Sequence, residues 1–348
     1  MHELPPYHRI LLLTEGQLGV FTSKTAASVM KYRPRDVVAV IDSSASGRRL
    51  AEFIPWSPAV PILANVACAC DLRPDAMFIG IAPVGGALPA EMRAHVCAAL
   101  EAGIDVVSGL HNFLADDPEL AALASASGAR ICDLRRPPAD RAVASAKALD
   151  THCRRVLTVG TDCNVGKMVT ALELTAAAQR QGLEARFLAT GQTGIMIAGR
   201  GICIDACVAD FAAGAAEQLA LDAATSDICF IEGQGSLGHP GFSGVTLALL
   251  HGTCPDALVL VHQLGRTQYK AEPHRDLPPI KELILAYERS ASLLYPACVA
   301  AIALNSLGYP AEEARAAADR LEQELGLPVA DPVREGCDRL LNAPGVLR

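Results

Sequence analysis

At 348 residues, with 51% hydrophobic and 20% charged positions, the chain is long enough to bury two substantial cores. A formal net charge of −8 and the lack of any basic run exclude nucleic acid and anionic membrane surfaces as natural partners. No apolar stretch is long enough to span a bilayer and the N-terminus carries no cleavable signal pattern, so a soluble, cytoplasmic protein is expected.

The first elements form a β-α-β unit: a strand over Arg9 to Leu13, a helix from about Thr22 to Tyr32, and a strand from Val37 to Ile41 that ends at Asp42. Further strands are predicted at Ala76 to Ile81, Ile104 to Val107 and Ala129 to Cys132, with a helix at Pro89 to Ala102 stopped by Gly103. Alternating strands and helices imply a Rossmann-like parallel sheet with its ligands at the carboxyl ends of the strands. Those ends carry Glu15-Gly16, Asp42-Ser43-Ser44, Pro83-Val84-Gly85-Gly86 and Ser108-Gly109-Leu110-His111. The full G-x-G-x-x-G fingerprint is absent, which weakens a dinucleotide reading.

Arg135-Arg136-Pro137-Pro138 breaks the pattern, and the Ala-rich stretch up to Cys153 reads as a connecting helix or linker. The expected division is residues 1–145 and 146–348. A second α/β domain then opens with the strand Arg155 to Val159, the loop Gly160-Thr161-Asp162-Cys163-Asn164-Val165-Gly166-Lys167 and a helix from Met168 to Gln181. This is the phosphate-binding pattern G-x-x-x-x-G-K in its required strand–loop–helix setting, where loop amides, helix dipole and Lys converge on an anion. Met168 replaces the Ser or Thr that normally binds Mg²⁺, and a thioether is a poor ligand for a hard cation. Thr170 lies about 200° around the helix and is no substitute. The loop is therefore suited to holding a phosphorylated ligand rather than cleaving one.

Downstream lie the strand Ala185 to Ala189, a helix Asp210 to Leu221, and the strand Asp227 to Ile231 running into Glu232-Gly233-Gln234-Gly235-Ser236. An acidic residue at the end of a second buried strand is the usual partner of a phosphate loop, acting on Mg²⁺ or on a water. Glu232 takes that place. The twelve cysteines are scattered and form no C-x-x-C, so reduced buried thiols are expected. Cys163 stands apart, because a thiolate just ahead of a helix N-terminus is stabilised and can act as a nucleophile.

The two loops, Gly160 to Lys167 and Glu232-Gly233-Gln234-Gly235, are similar to the nucleotide loop and acidic loop of dethiobiotin synthetase, which keeps the hydroxyl that Met168 lacks. A resemblance over the whole chain is carried by Lys24-Thr25-Ala26, Ala39 to Asp42, Asp210 to Glu217, Glu232 to Pro240, Ser243 to Leu247 and Asp331-Pro332-Val333-Arg334. These segments resemble a prokaryotic family long catalogued only as a domain of unknown function. That family pairs a Rossmann-like domain with a P-loop domain and habitually has Met after the P-loop Lys. Some of its members are D-glutamate N-acetyltransferases, which move an acetyl group from acetyl-CoA to the amine and feed a racemase that yields N-acetyl-L-glutamate.

The resemblance implies acetyl-CoA as co-substrate, held through its phosphates by Lys167 and the amides of residues 160–167 and 233–235. Glu232 and His239, with Asp162 behind them, are the candidate bases for a free-amine substrate of high pKa. Arg266, after the strand Ala257 to Val261, offers a fork for a substrate carboxylate. Lys24 can hold an anion, and Asp205 and Asp210 can read an ammonium, Asp210 alternatively serving as an N-cap. His239, His251 and His262 would make a metal site only if folding gathered them, and no metal is expected. The alternative readings are an ATP-dependent kinase or ligase resembling dethiobiotin synthetase, with Mg²⁺ left open, and a nucleotide-binding protein without turnover. A homo-oligomer is expected, with its site between the two domains.

Overall fold

The computed structural model describes residues 1–347 apart from positions 84 and 272, so Val84 of the expected strand ends lies outside the described residues. The chain divides into two compact units, residues 1–137 with 192–206, and residues 138–191 with 207–348. In chain order the first stretch contains β1 (His2–Glu3), β2 (Ile10–Leu13), α1 (Lys24–Tyr32), β3 (Val37–Ile41), β4 (Ile62–Leu63), β5 (Ala76–Ile79), α2 (Ala90–Glu101), β6 (Asp105–Ser108), α3 (Pro118–Ser127) and β7 (Ile131–Asp133). There follow β8 (Arg154–Gly160), α4 (Lys167–Arg180), β9 (Ala185–Leu188), α5 (Gln192–Ala198), β10 (Arg200–Gly201), α6 (Ala209–Asp222) and β11 (Ile228–Ile231). The remainder adds α7 (Ser243–Thr253), β12 (Ala257–Gln263), α8 (Ile280–Ser292), β13 (Cys298–Asn305), α9 (Ala311–Leu325), β14 (Val329–Ala330) and α10 (Asp338–Leu341).

Each unit is built on a six-stranded, wholly parallel sheet. In the N-terminal unit the order is β4-β3-β2-β5-β6-β7. Helices cover both faces of such a sheet, so its strands can be apolar throughout. All four residues of β2, Ile10 to Leu13, are fully buried. Local chemistry sets the ends of α3: Asp117 caps it by accepting from the amides of Glu119 and Leu120 at 3.0 and 3.2 Å, Pro118 opens it, and Gly128 closes it at φ 79°.

Residues 192–206 depart from the expected division. They pack with the N-terminal unit, where β10 pairs antiparallel with β1 through His2↔Gly201 and Glu3↔Arg200. Arg33 donates to the Met196 carbonyl at 2.9 Å, and Thr25 and Thr193 share a hydroxyl hydrogen bond at 3.0 Å. These partners lie more than 160 residues away in sequence, beyond the reach of any local pattern. The change of unit near Pro137 likewise precedes residue 145. Of the two alternatives for the connecting stretch, linker and not helix is found: residues 147–150 form one 3-10 turn, and Glu217 pins the stretch by accepting from the amides of Ser145 and Lys147.

The C-terminal sheet runs β14-β13-β12-β8-β11-β9, with β8 between β12 and β11. Its core is mostly small and branched residues around Phe230, as the low aromatic content requires. No helix among the described residues is long and apolar enough to cross a membrane. Phe230→Ala, at a fully buried position, is expected to cost about 3–5 kcal/mol in urea unfolding. Phe21→Ala, at a position 72% exposed, should stay within about 0.5 kcal/mol of the parent.

Candidate functional site

The phosphate loop leaves the carboxyl end of β8 and enters α4, with Asn164 at φ 56° and Gly166 at φ 114° making the turn. Gly160 opens it because a Cβ there would lie 2.8 Å from Lys167 Nζ and 2.7 Å from the Asp162 carbonyl oxygen. Space that a side chain would fill is left for the Lys. Lys167 is only 5% exposed and donates to the Asp162 carbonyl at 2.8 Å, so its ammonium closes the loop on itself. Burial pushes its pKa down to about 8, against the opposing pull of Cys163, Asp162 and Glu232.

The acidic loop after β11 is fastened to the phosphate loop at several points. Thr158, a polar residue inside a buried strand, accepts from the Gly233 amide at 2.9 Å, and its hydroxyl lies 3.2 Å from the Lys167 carbonyl. Gly233 passes so close that a Cβ would sit 1.6 Å from the Thr158 carbonyl oxygen. Ser236 donates to the Thr161 carbonyl at 3.1 Å. Tyr287 donates to the Gly160 carbonyl at 2.7 Å and accepts from the Leu237 amide at 3.2 Å, with burial raising its pKa to about 12. Gln234 donates to the Thr190 carbonyl, and Gly235, at φ 63°, packs under Phe242.

The candidate bases are arranged differently from the sequence expectation. His239 is 4% exposed, its Nδ1 accepts from the Gly241 amide at 3.1 Å, and its Nε2 faces the Lys270 carbonyl at 3.1 Å. With Nδ1 accepting, Nε2 carries the proton and no lone pair is left for a substrate. His239 is a structural histidine here, stacked on Phe242 at 4.5 Å between ring centres. Asp162 is fully buried and accepts from the amides of Cys163 and Lys270, both at 2.7 Å. Glu232 places Oε2 on the amides of Thr190 and Gly191, at 2.9 and 3.1 Å, which makes it the clasp of that turn. Loop amides hold all three groups, and only tertiary contacts reveal it.

Cys163 is also corrected: burial, then Asp162, push its thiol pKa up, opposite to the direction a nucleophile needs. All twelve cysteines are reduced thiols. The three histidines do not converge, since His251 bonds the Ser290 carbonyl and His262 bonds Thr161. Burial, and then Arg266, lower the His262 pKa to about 4 and keep it neutral. The loops bring together Asp162, Cys163 and His239, with ligand atoms within 4.8 Å of one another, but the backbone already holds both His239 nitrogens.

The chain's relatives agree with this architecture. A Rossmann-like domain described as a domain of unknown function, DUF1611_N, matches residues 43–137, and the P-loop domain of the same family, DUF1611_C, matches residues 142–341. The chain belongs to the DUF1611 family. A crystal structure of a DUF1611 protein from Anabaena variabilis superimposes with a TM-score of 0.91 at 43% identity, covering 96% of this chain and 98% of that one. A protein from Tritonibacter scottomollicae named D-glutamate N-acetyltransferase is 38% identical over 96% of this chain and 97% of its own. One of the same name from Pseudoalteromonas sp is 40% identical over 80% of this chain and 83% of its own. These relatives support an N-acetyltransferase.

Within the DUF1611 framework the remaining predicted residues scatter. Arg266 is partly buried, with Nη1 3.6 Å from Asp162 Oδ2 and Nη2 bonded to Gln263 at 2.8 Å. Lys24 is the exposed first residue of α1 in the N-terminal unit. Asp205 also belongs to that unit, where Arg135 pairs with it. Asp210 lies in the first turn of α6, whose N-cap is Val208, so it is not the cap. Among the residues that sequence reasoning missed, Thr158 had a signal as the lone hydroxyl in an apolar strand, whereas Tyr287, Thr190 and Lys270 had none.

The buried Lys has consequences that can be measured. Lys167→Met should weaken binding of phosphorylated ligands by about 1.5–3 kcal/mol, read by calorimetry. It should also leave thermal stability unreduced, because a folded-state pKa below the ordinary 10.5 means that the charged form opposes folding at neutral pH and that the cost fades between about 8 and 10.5. In the parent protein, affinity for a phosphorylated ligand should hold below pH 8 and fall above it as the ammonium deprotonates. Lys167→Arg, which stays charged, should abolish that fall.

Proposed function

We propose that the protein is an acetyl-CoA-dependent N-acetyltransferase that acts on D-glutamate or a closely related D-amino acid, with a role in amino-acid catabolism. The observation that carries this reading is the near full-length relationship to two proteins named D-glutamate N-acetyltransferase. The phosphate loop supports it chemically. Coenzyme A presents phosphates to be gripped, not cleaved, and a loop with a buried Lys at a helix N-terminus and Met168 in place of the Mg²⁺ ligand suits that task.

Lys167 and the turn that leads into α4 are assigned to a coenzyme phosphate, apart from the amides of Thr161 and Cys163, which bond the Val261 carbonyl and Asp162 Oδ1. Arg266 is assigned to a substrate carboxylate, because its 3.6 Å approach to Asp162 is loose enough for a better-placed anion to compete. Glu232 keeps the Thr190–Gly191 turn in place beside the loop. The raised Cys163 pKa favours direct transfer of the acetyl group over an acyl-enzyme.

Purified protein with acetyl-CoA and a panel of D- and L-amino acids should release free thiol, fastest with an acidic D-amino acid, and should release no phosphate from Mg²⁺-ATP. Met168→Thr should keep acetyl transfer within about threefold, since phosphate anchoring uses amides and the Lys. Brisk ATP turnover without thiol release would replace this reading by that of a ligase or kinase.

A further inference from the structure

Large apolar side chains left in water gather on α8 and the turn that follows it. Leu285 is 42% and Leu293 81% exposed, and Leu294 and Tyr295 are exposed beside them. These are four of the thirteen exposed large hydrophobic side chains among the described residues. Such residues need no explanation when scattered singly, but a cluster marks a contact surface. Exposed Leu247 widens it: it lies one turn before His251 on α7, and His251 reaches the Ser290 carbonyl of α8 at 3.0 Å.

The helix that carries this surface is held firmly from within. Leu283, Tyr287 and Ala291, four residues apart, are buried on its inner face, and Tyr287 donates to the Gly160 carbonyl at 2.7 Å. The outward stripe is therefore presented in a fixed geometry, which lowers the cost of ordering it against a partner.

The charges on that stripe decide what fits it. Glu282 stands three residues before Leu285, and Arg289 three residues after the exposed Ala286. Both are exposed, and neither has an ion-pair partner among the described residues. A two-fold axis crossing α8 between Leu285 and Ala286 sets each residue against the one equally distant on the other side of it. Leu285 of one copy then rests on Ala286 of the other, and Glu282 meets Arg289 twice, about 5 Å along the helix to either side of the axis. Farther out, Leu293 and Leu294 at the end of the helix face Pro278 and Leu277 before its start. Apolar groups meet apolar groups and each charge meets its opposite, so one surface serves both partners. A parallel pairing would set like charge on like at residues 282 and 289.

We propose that the protein forms a two-fold symmetric dimer through α8, which packs antiparallel on the α8 of a second copy with Leu285 at the centre and the Glu282–Arg289 pairs on either side. A standard interface buries roughly 800 Å² per partner, more than one helix stripe supplies, so the contact takes in Leu247 and the turn at Leu294 and Tyr295 as well. The contact does not depend on which reaction the phosphate loop serves.

Sedimentation velocity on the full-length protein over a concentration series tests this. The parent should sediment as a dimer. Leu285→Glu, Glu282→Arg and Arg289→Glu should each raise the dimer Kd by at least about tenfold. Circular dichroism should be unchanged in all three, because the positions are exposed. Complementation is the decisive measurement: Glu282→Arg chains mixed with Arg289→Glu chains restore both opposite-charge pairs, as does a single chain carrying both substitutions. Each should recover the parent's dimer affinity within about threefold. A parent that stays monomeric up to about 100 μM overturns the proposal. A dimer indifferent to the three substitutions overturns it too, by placing the interface elsewhere. So does failure of complementation in both the mixture and the double variant, which would leave α8 as a surface for a different partner.

Discussion

The buried ammonium of Lys167 is the constraint around which the C-terminal unit is arranged. Taking a charge out of water is costly unless polar groups replace the solvent, and here they are a backbone carbonyl at 2.8 Å and the nearby Cys163, Asp162 and Glu232. Burial nevertheless pulls its pKa down to about 8, so these groups replace the lost solvation only in part.

The neighbours of the loop are fixed by hydrogen bonds within the protein. Thr158, Ser236 and Tyr287 supply hydroxyls that tie the acidic loop to the phosphate loop, and Gly160 and Gly233 allow approaches that any side chain would block. Both oxygens of Asp162, Oε2 of Glu232 and both nitrogens of His239 likewise meet backbone amides or carbonyls. Side chains bonded in this way hold the two loops in register with each other.

The N-terminal unit carries other groups. Its parallel sheet follows the same rule of ligands at the carboxyl edge, and beyond the carboxyl end of β2 Glu15 accepts from the Ser43 amide at 2.9 Å and lies 3.1 Å from His95 Nε2. The two units thus carry different groups at the strand ends of similar sheets, and function is argued from such groups and not from the fold.

The sequence by itself determined the two α/β domains, most strands of the first sheet, the phosphate loop with its Met168 departure, and the carboxyl-end segments where ligands belong. These are local properties: apolar runs, glycine spacing and breaker residues act over a few positions. It did not place the elements after residue 267, nor the packing of residues 192–206 with the N-terminal unit, whose partners at His2, Thr25 and Arg33 are distant along the chain. Which titratable groups are open was also beyond it. Glu232, His239 and Asp162 read as bases because of where they stand in the loops, and the fold turned them into backbone clasps. Glu15 and His95, 80 residues apart, became a pair only when the sheet set β2 beside β5. A side chain's availability depends on what else reaches its atoms, and that is decided by long-range packing.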